Sequence, residues 1–121
     1  MMSQEQNDLI TRTGPKDPCG KLMRSYWQPA GLVDELEDAR PIRPVRLLGE
    51  SLVLFRDERG RYGLIDRHCA HRGADLAFGR LENGGLRCAF HGWLFDVSGQ
   101  CLETPAEPKG SKLCQIGRAH V

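Results

Sequence analysis

The 121-residue sequence predicts an all-β fold of small antiparallel sheets, preceded by an irregular N-terminal arm. Three observations predict it. Fourteen Gly and seven Pro in so short a chain ask for many turns and leave little room for long helices. From Val45 onward the apolar residues recur at strand spacing. Compact turn signals separate these runs at short intervals.

Residues 1–41 are the arm. It begins polar, passes Gly14-Pro15 and Asp17-Pro18, and reaches Leu22-Met23-Arg24-Ser25-Tyr26-Trp27-Gln28-Pro29. The acidic stretch 33–40 has the makings of one helical turn, and Pro41 and Pro44 separate the arm from the strand region beginning at Val45. Val45-Arg46-Leu47-Leu48 and Ser51-Leu52-Val53-Leu54-Phe55-Arg56 flank Gly49-Glu50, the expected tight hairpin turn. Asp57-Glu58-Arg59-Gly60 is a second turn and Tyr62-Gly63-Leu64-Ile65-Asp66 a third strand, which makes a meander. Residues 67–87 are Gly-rich with weak periodicity. Leu86-Arg87-Cys88 and Trp93-Leu94-Phe95-Asp96 read as strand ends around a loop. After the turn Asp96-Val97-Ser98-Gly99, Gln100-Cys101-Leu102 is expected to pair back. Thr104-Pro105-Ala106-Glu107-Pro108 reads as a connection leaving the domain.

Composition narrows the function classes. Seventeen basic against sixteen acidic residues leave a formal net charge of +1, too little field to hold nucleic acid or an anionic membrane. Apolar residues make up 40% of the chain, enough for a modest core. No run approaches the ~20 apolar residues of a membrane span, and no secretory signal is visible. A soluble, cytoplasmic domain is expected. Its five Cys are an odd number that fits poorly with a closed disulfide framework. The last seven residues, Gln115-Ile116-Gly117-Arg118-Ala119-His120-Val121, read as one frame of a common sequencing-library adapter. Authentic protein is then expected to end near Cys114, as an open fragment.

Two boxes carry the chemistry: Cys69-Ala70-His71 and Cys88-Ala89-Phe90-His91, with sixteen residues between His71 and Cys88. Each offers one thiolate and one imidazole, followed by a Gly that lets the backbone curl around a metal and point amides at it. Two thiolates with two imidazoles suit Zn²⁺ or an iron–sulfur cluster of mixed ligation. Zinc fingers keep like ligands together, whereas each box here mixes one Cys with one His. That mixture fits two adjacent irons, one taking both cysteines and the other both histidines, as in Rieske [2Fe-2S] centres.

The phrases Cys69-Ala70-His71-Arg72-Gly73-Ala74 and Cys88-Ala89-Phe90-His91-Gly92-Trp93-Leu94-Phe95-Asp96 closely resemble the Rieske family. The resemblance implies a Rieske domain over 42–114, with Cys69 and Cys88 on a buried iron and His71 and His91 on an outer iron nearer solvent. Respiratory Rieske domains carry an extra Cys in each box, absent here, and a hydroxyl residue where this chain has Trp93. Hydrogen bonds to cluster sulfurs raise the potential, so a value near the low end of the Rieske range is expected, about −150 mV. His71-Arg72-Gly73, His91-Gly92-Trp93 and the arm at 22–30 look like the terminal oxygenase component of phthalate dioxygenase-like ring-hydroxylating oxygenases.

That resemblance implies electrons arriving from a flavin and iron–sulfur reductase or a ferredoxin. It further implies a mononuclear Fe(II) that activates O₂ against an aromatic substrate, in an enzyme that assembles as a trimer. The catalytic domain holding that iron is absent from this sequence, so no catalytic residue is expected here. A stand-alone Rieske ferredoxin, an electron carrier and not an enzyme, is the alternative. Arg72 is a candidate surface contact; Trp93 is a candidate to shield the cluster, to face the missing domain or simply to pack in the core; Asp75 is a candidate hydrogen-bond acceptor or member of a neighbouring subunit's relay, with a turn cap the favoured role. Cys19, Cys101 and Cys114 are read as thiols packing like small apolar residues.

Overall fold

The computed structural model describes residues 1–108. By contacts the chain divides into two units, residues 1–30 with 46–50, and residues 31–45 with those from Ser51 on.

The first unit holds two short helices, α1 (Gln4–Thr11) and α2 (Pro18–Met23). The arm is thus less irregular than its sequence suggests. Ser3 caps α1 reciprocally: its hydroxyl accepts from the Gln6 N–H at 3.2 Å, and the Gln6 side chain accepts from the Ser3 N–H at 2.9 Å. No residue of α1 is buried, so there is no apolar periodicity to announce it. Pro18 opens α2 at a position where its missing N–H costs nothing. Arg24 ties this unit together, donating to the carbonyls of Thr13 (2.7 Å), Gly20 (3.1 Å) and Leu48 (3.2 Å) and to Glu50 Oε2 (2.7 Å).

The second unit carries the core and the sheets, except for the tip of the first hairpin at 46–50, which belongs with the first unit. The expected helical turn is a 3-10 turn at Val33–Leu36. Strands β1 (Ile42–Leu47), β2 (Glu50–Arg56) and β3 (Tyr62–Asp66) form the meander in the order β1-β2-β3. Two details differ from the sequence reading. The tight turn sits at Leu48-Gly49, one residue earlier than expected, where both residues have positive φ (50° and 80°), the pairing of a twist-matched hairpin. Pro44 lies inside β1 and does not precede it; β1 is an edge strand, where a missing N–H leaves no ladder bond broken.

A second sheet, in the order β4-β5-β6-β7, comprises β4 (Arg80–Glu82), β5 (Gly85–Arg87), β6 (Leu94–Phe95) and β7 (Cys101–Glu103). All its pairings are antiparallel. The weakly periodic stretch 67–87 therefore hides a hairpin whose turn is Asn83-Gly84, again with two positive φ values (52° and 81°). Its strands of three residues are too short to show alternation. Cys101 pairs with Phe95, as the pair-back reading expects. Val53, Phe55 and Ile65 of the first sheet and Leu86, Phe95 and Cys101 of the second lie in one buried cluster with Cys69, Cys88 and Trp93. The two boxes thus sit on loops anchored in the core, one after β3 and one between β5 and β6.

Candidate metal centre

Each box folds into the same backbone turn. In the first, the Cys69 N–H donates to the Ala74 carbonyl at 2.7 Å and the Gly73 N–H returns to the Cys69 carbonyl at 2.7 Å. In the second, the Cys88 N–H donates to the Trp93 carbonyl at 2.8 Å and the Gly92 N–H returns to the Cys88 carbonyl at 3.2 Å. Gly73 and Gly92 close these turns with φ of 74° and 81°, the left-handed region that a side chain disfavours. The turns aim amides inward: the N–H groups of His71 and Arg72 donate to the Cys69 sulfur.

The donors segregate by exposure. Cys69 and Cys88 are 4% and 3% exposed, while His71 and His91 are half-buried. The two imidazole rings stand edge to face with centroids 4.9 Å apart. Burial pushes the Cys69 thiol up to about 11; the amides of His71 and Arg72 pull it down and the Cys88 thiol beside it pushes it further up. Such a thiol keeps its proton at neutral pH, and a bound metal cation supplies the charge that strips it. Among the described residues no three His, Cys, Asp or Glu side chains converge on a single ion position. A thiol pair inside and an imidazole pair outside is a donor set for two irons, and a [2Fe-2S] cluster with two Cys and two His fits it.

The surroundings lock the second loop. Arg87, the residue before Cys88, is buried; it donates to the Gly92 carbonyl at 2.7 Å, to Glu103 Oε2 at 2.8 Å and to Glu82. Burial works against its charge, and the bonds to Glu103 and Glu82 outweigh that and raise its pKa. Sequence reasoning missed Arg87. Its signal was a lone charge between Leu86 and Cys88 in a strand otherwise apolar.

The first loop is held differently. Asp75 accepts from both Arg67 Nε (3.0 Å) and Nη2 (2.8 Å), and caps the 3-10 turn Leu76–Phe78 by accepting from the Ala77 N–H at 2.9 Å. It is the turn cap that the sequence suggests. Bonding to Arg67 holds its carboxyl below the usual range. Trp93 is 3% exposed and stacks flat on His71, with ring centroids 4.5 Å apart and planes 6° apart. It is a core residue, as one of the sequence readings has it. Phe90, by contrast, is exposed beside the His91 ring, and Arg72 is exposed. His68 is exposed too, its N–H donating to Asp66 Oδ1 at 3.0 Å. Cys114 and the adapter-like residues 115–121 lie outside the described residues.

Comparison with known proteins points the same way. A family model described as the Rieske [2Fe-2S] domain matches residues 26–116. The chain is 54% identical over 114 residues to the 5,5'-dehydrodivanillate O-demethylase oxygenase subunit of Sphingobium sp., covering 91% of the chain and 27% of that protein. It is 45% identical over 117 residues to the phthalate 4,5-dioxygenase oxygenase subunit of Pseudomonas putida, covering 95% of the chain and 26% of that protein. The solved structure of Pseudomonas putida CBB5 NdmA superposes with a TM-score of 0.69 at 32% identity, over 83% of this chain and 31% of that one. The chain thus spans about a quarter of the length of these curated relatives.

Proposed function

The chain belongs to the Rieske [2Fe-2S] domain family, and we propose that it is the electron-relaying part of an aromatic ring-hydroxylating or O-demethylating oxygenase. Cys69 and Cys88 hold the inner iron and His71 and His91 the outer one. When bound, the cluster accepts and releases one electron at a time. The observation that carries this reading is the pair of matched turns, each delivering one buried thiol and one half-buried imidazole to the same place.

Burial divides the work among the chain's own residues. The thiols are shut away from water, and the His71 and Arg72 main-chain N–H groups donate to the Cys69 sulfur, which keeps the inner side dry and fixed in shape. The imidazoles form the open edge, with Arg72 and Phe90 exposed beside them in sequence. A flavin and iron–sulfur reductase or a ferredoxin is the electron donor to that edge. The receiving mononuclear iron, the O₂ chemistry and the trimeric assembly belong to a catalytic domain C-terminal to 42–114, the arm being 1–41. The relatives named as oxygenase subunits, an O-demethylase and a dioxygenase, support this class of reaction. Among the described residues no helix is long and apolar enough to cross a membrane, and a cytoplasmic site is part of the proposal.

The test is spectroscopic and genetic. The chain loaded with iron and sulfide is expected to be coloured and to give, on reduction, the electron paramagnetic resonance signal of a mixed Cys/His [2Fe-2S] cluster. A colourless, silent chain with stoichiometric zinc would refute the centre. The coding sequence is expected to continue past Cys114 into a catalytic domain with two His and one carboxylate for iron. A frame that stops directly after Cys114 would make the chain a stand-alone electron carrier instead.

A further inference from the structure

Trp93 carries the single buried side-chain polar atom that lacks a hydrogen-bond partner among the described residues, its indole Nε1. A buried donor left unmatched is costly, and native structures seldom leave one so. The ring cannot swing away to find water. It is stacked on His71 within 6° of parallel, its own carbonyl is bonded to the Cys88 N–H, and it packs in the core with Cys69 and Cys88. Both His71 and Cys88 are ligands in the proposed cluster, on which this inference rests. An N–H confined among the ligands of a sulfur-rich cluster is short of an acceptor in just the region where that cluster brings several.

We propose that the Trp93 indole N–H donates a hydrogen bond to a sulfur of the cluster, bridging sulfide or cysteine thiolate, and so raises its reduction potential. Reduction adds one electron to the cluster and moves no proton onto the indole. The sulfurs become more negative, the N–H···S bond strengthens, and the reduced form gains more than the oxidised one. By residue type alone, Trp93 stands as the loss of a hydroxyl donor. The fold restores a donor at the same position through the indole nitrogen.

The experiment uses the chain carrying its cluster, with Trp93 replaced by benzothienylalanine, which keeps the ring's shape and puts sulfur in place of N–H. The midpoint potential is read by redox titration followed by electron paramagnetic resonance. We expect unchanged g values and a lower potential, by about tenfold in the oxidation equilibrium, or ~59 mV for one electron. Trp93→Phe is expected to lower it in the same direction. Transfer to D₂O is expected to shift the Fe–S stretching bands of the parent chain and not those of the benzothienyl variant. An intact cluster spectrum with unchanged potential and equal isotope response in parent and variant overturns the hydrogen bond alone. A parent chain without the mixed-ligand spectrum overturns the ligand set, and the bond with it.

Discussion

The two Cys/His loops share a backbone and differ in everything around it. Both run from a core cysteine to a left-handed glycine four residues on, closed by the same pair of main-chain bonds. In the first loop the histidine comes two residues after the cysteine; in the second it comes three. The first loop is steadied from outside by Arg67 and Asp75, each partly exposed. The second is steadied from inside by the buried Arg87, which reaches the Gly92 carbonyl beyond His91. The loops also cross over: Trp93, which ends the second turn, lies on the histidine of the first. One turn is therefore enough to place a thiol and an imidazole, but making two turns act as one site takes contacts between them.

The largest effect should come from breaking the outer pair. His71→Ala and His91→Ala are each expected to abolish the mixed-ligand spectrum, because in the proposed cluster either would remove an imidazole from the outer iron; Cys101→Ser should leave it intact. A normal Rieske spectrum in either histidine variant would remove that residue from the ligand set. Next is the internal strut. Arg87→Leu leaves Glu82 and Glu103 without their shared cation and the Gly92 carbonyl without its donor. It should lower stability by about 2 kcal/mol in urea unfolding. Arg67→Leu, acting on the more exposed strut, should cost less, about 1 kcal/mol or below. Equal losses would erase the inside–outside distinction. The smallest test addresses what the loops have in common. An added Cβ meets nothing within 4 Å at Gly73 and only Pro105 at ordinary contact distance, 3.5 Å, at Gly92. Gly73→Ala and Gly92→Ala should thus each cost about 1–2 kcal/mol from backbone strain alone. Thermal unfolding that separates them widely would show that the two turns are not energetically alike.

The meander and the turn at 96–99 were legible because their signals are local: short apolar runs bounded by turn residues, and an Asp96-Val97-Ser98-Gly99 turn. The Asn83-Gly84 hairpin carries the right turn chemistry, yet its strands are too short for alternation to confirm it. Helix α1 was hidden for the opposite reason. Its N-terminus is well capped, but it buries no face, so its pattern has no period to detect. Pro44 misled because a proline's tolerance depends on whether its strand is an edge, which is a property of the sheet and not of the residue.

Two Cys/His boxes at Rieske spacing, and hence the family, could be read from the chain alone, because such a signature belongs to residue types and each turn is closed within six residues. Which donors are dry and which face outward, what steadies each loop, and where the Trp93 ring comes to rest were decided only by the tertiary structure. Those properties depend on groups brought together from different strands, and burial, stacking and hydrogen-bond satisfaction exist only once they meet.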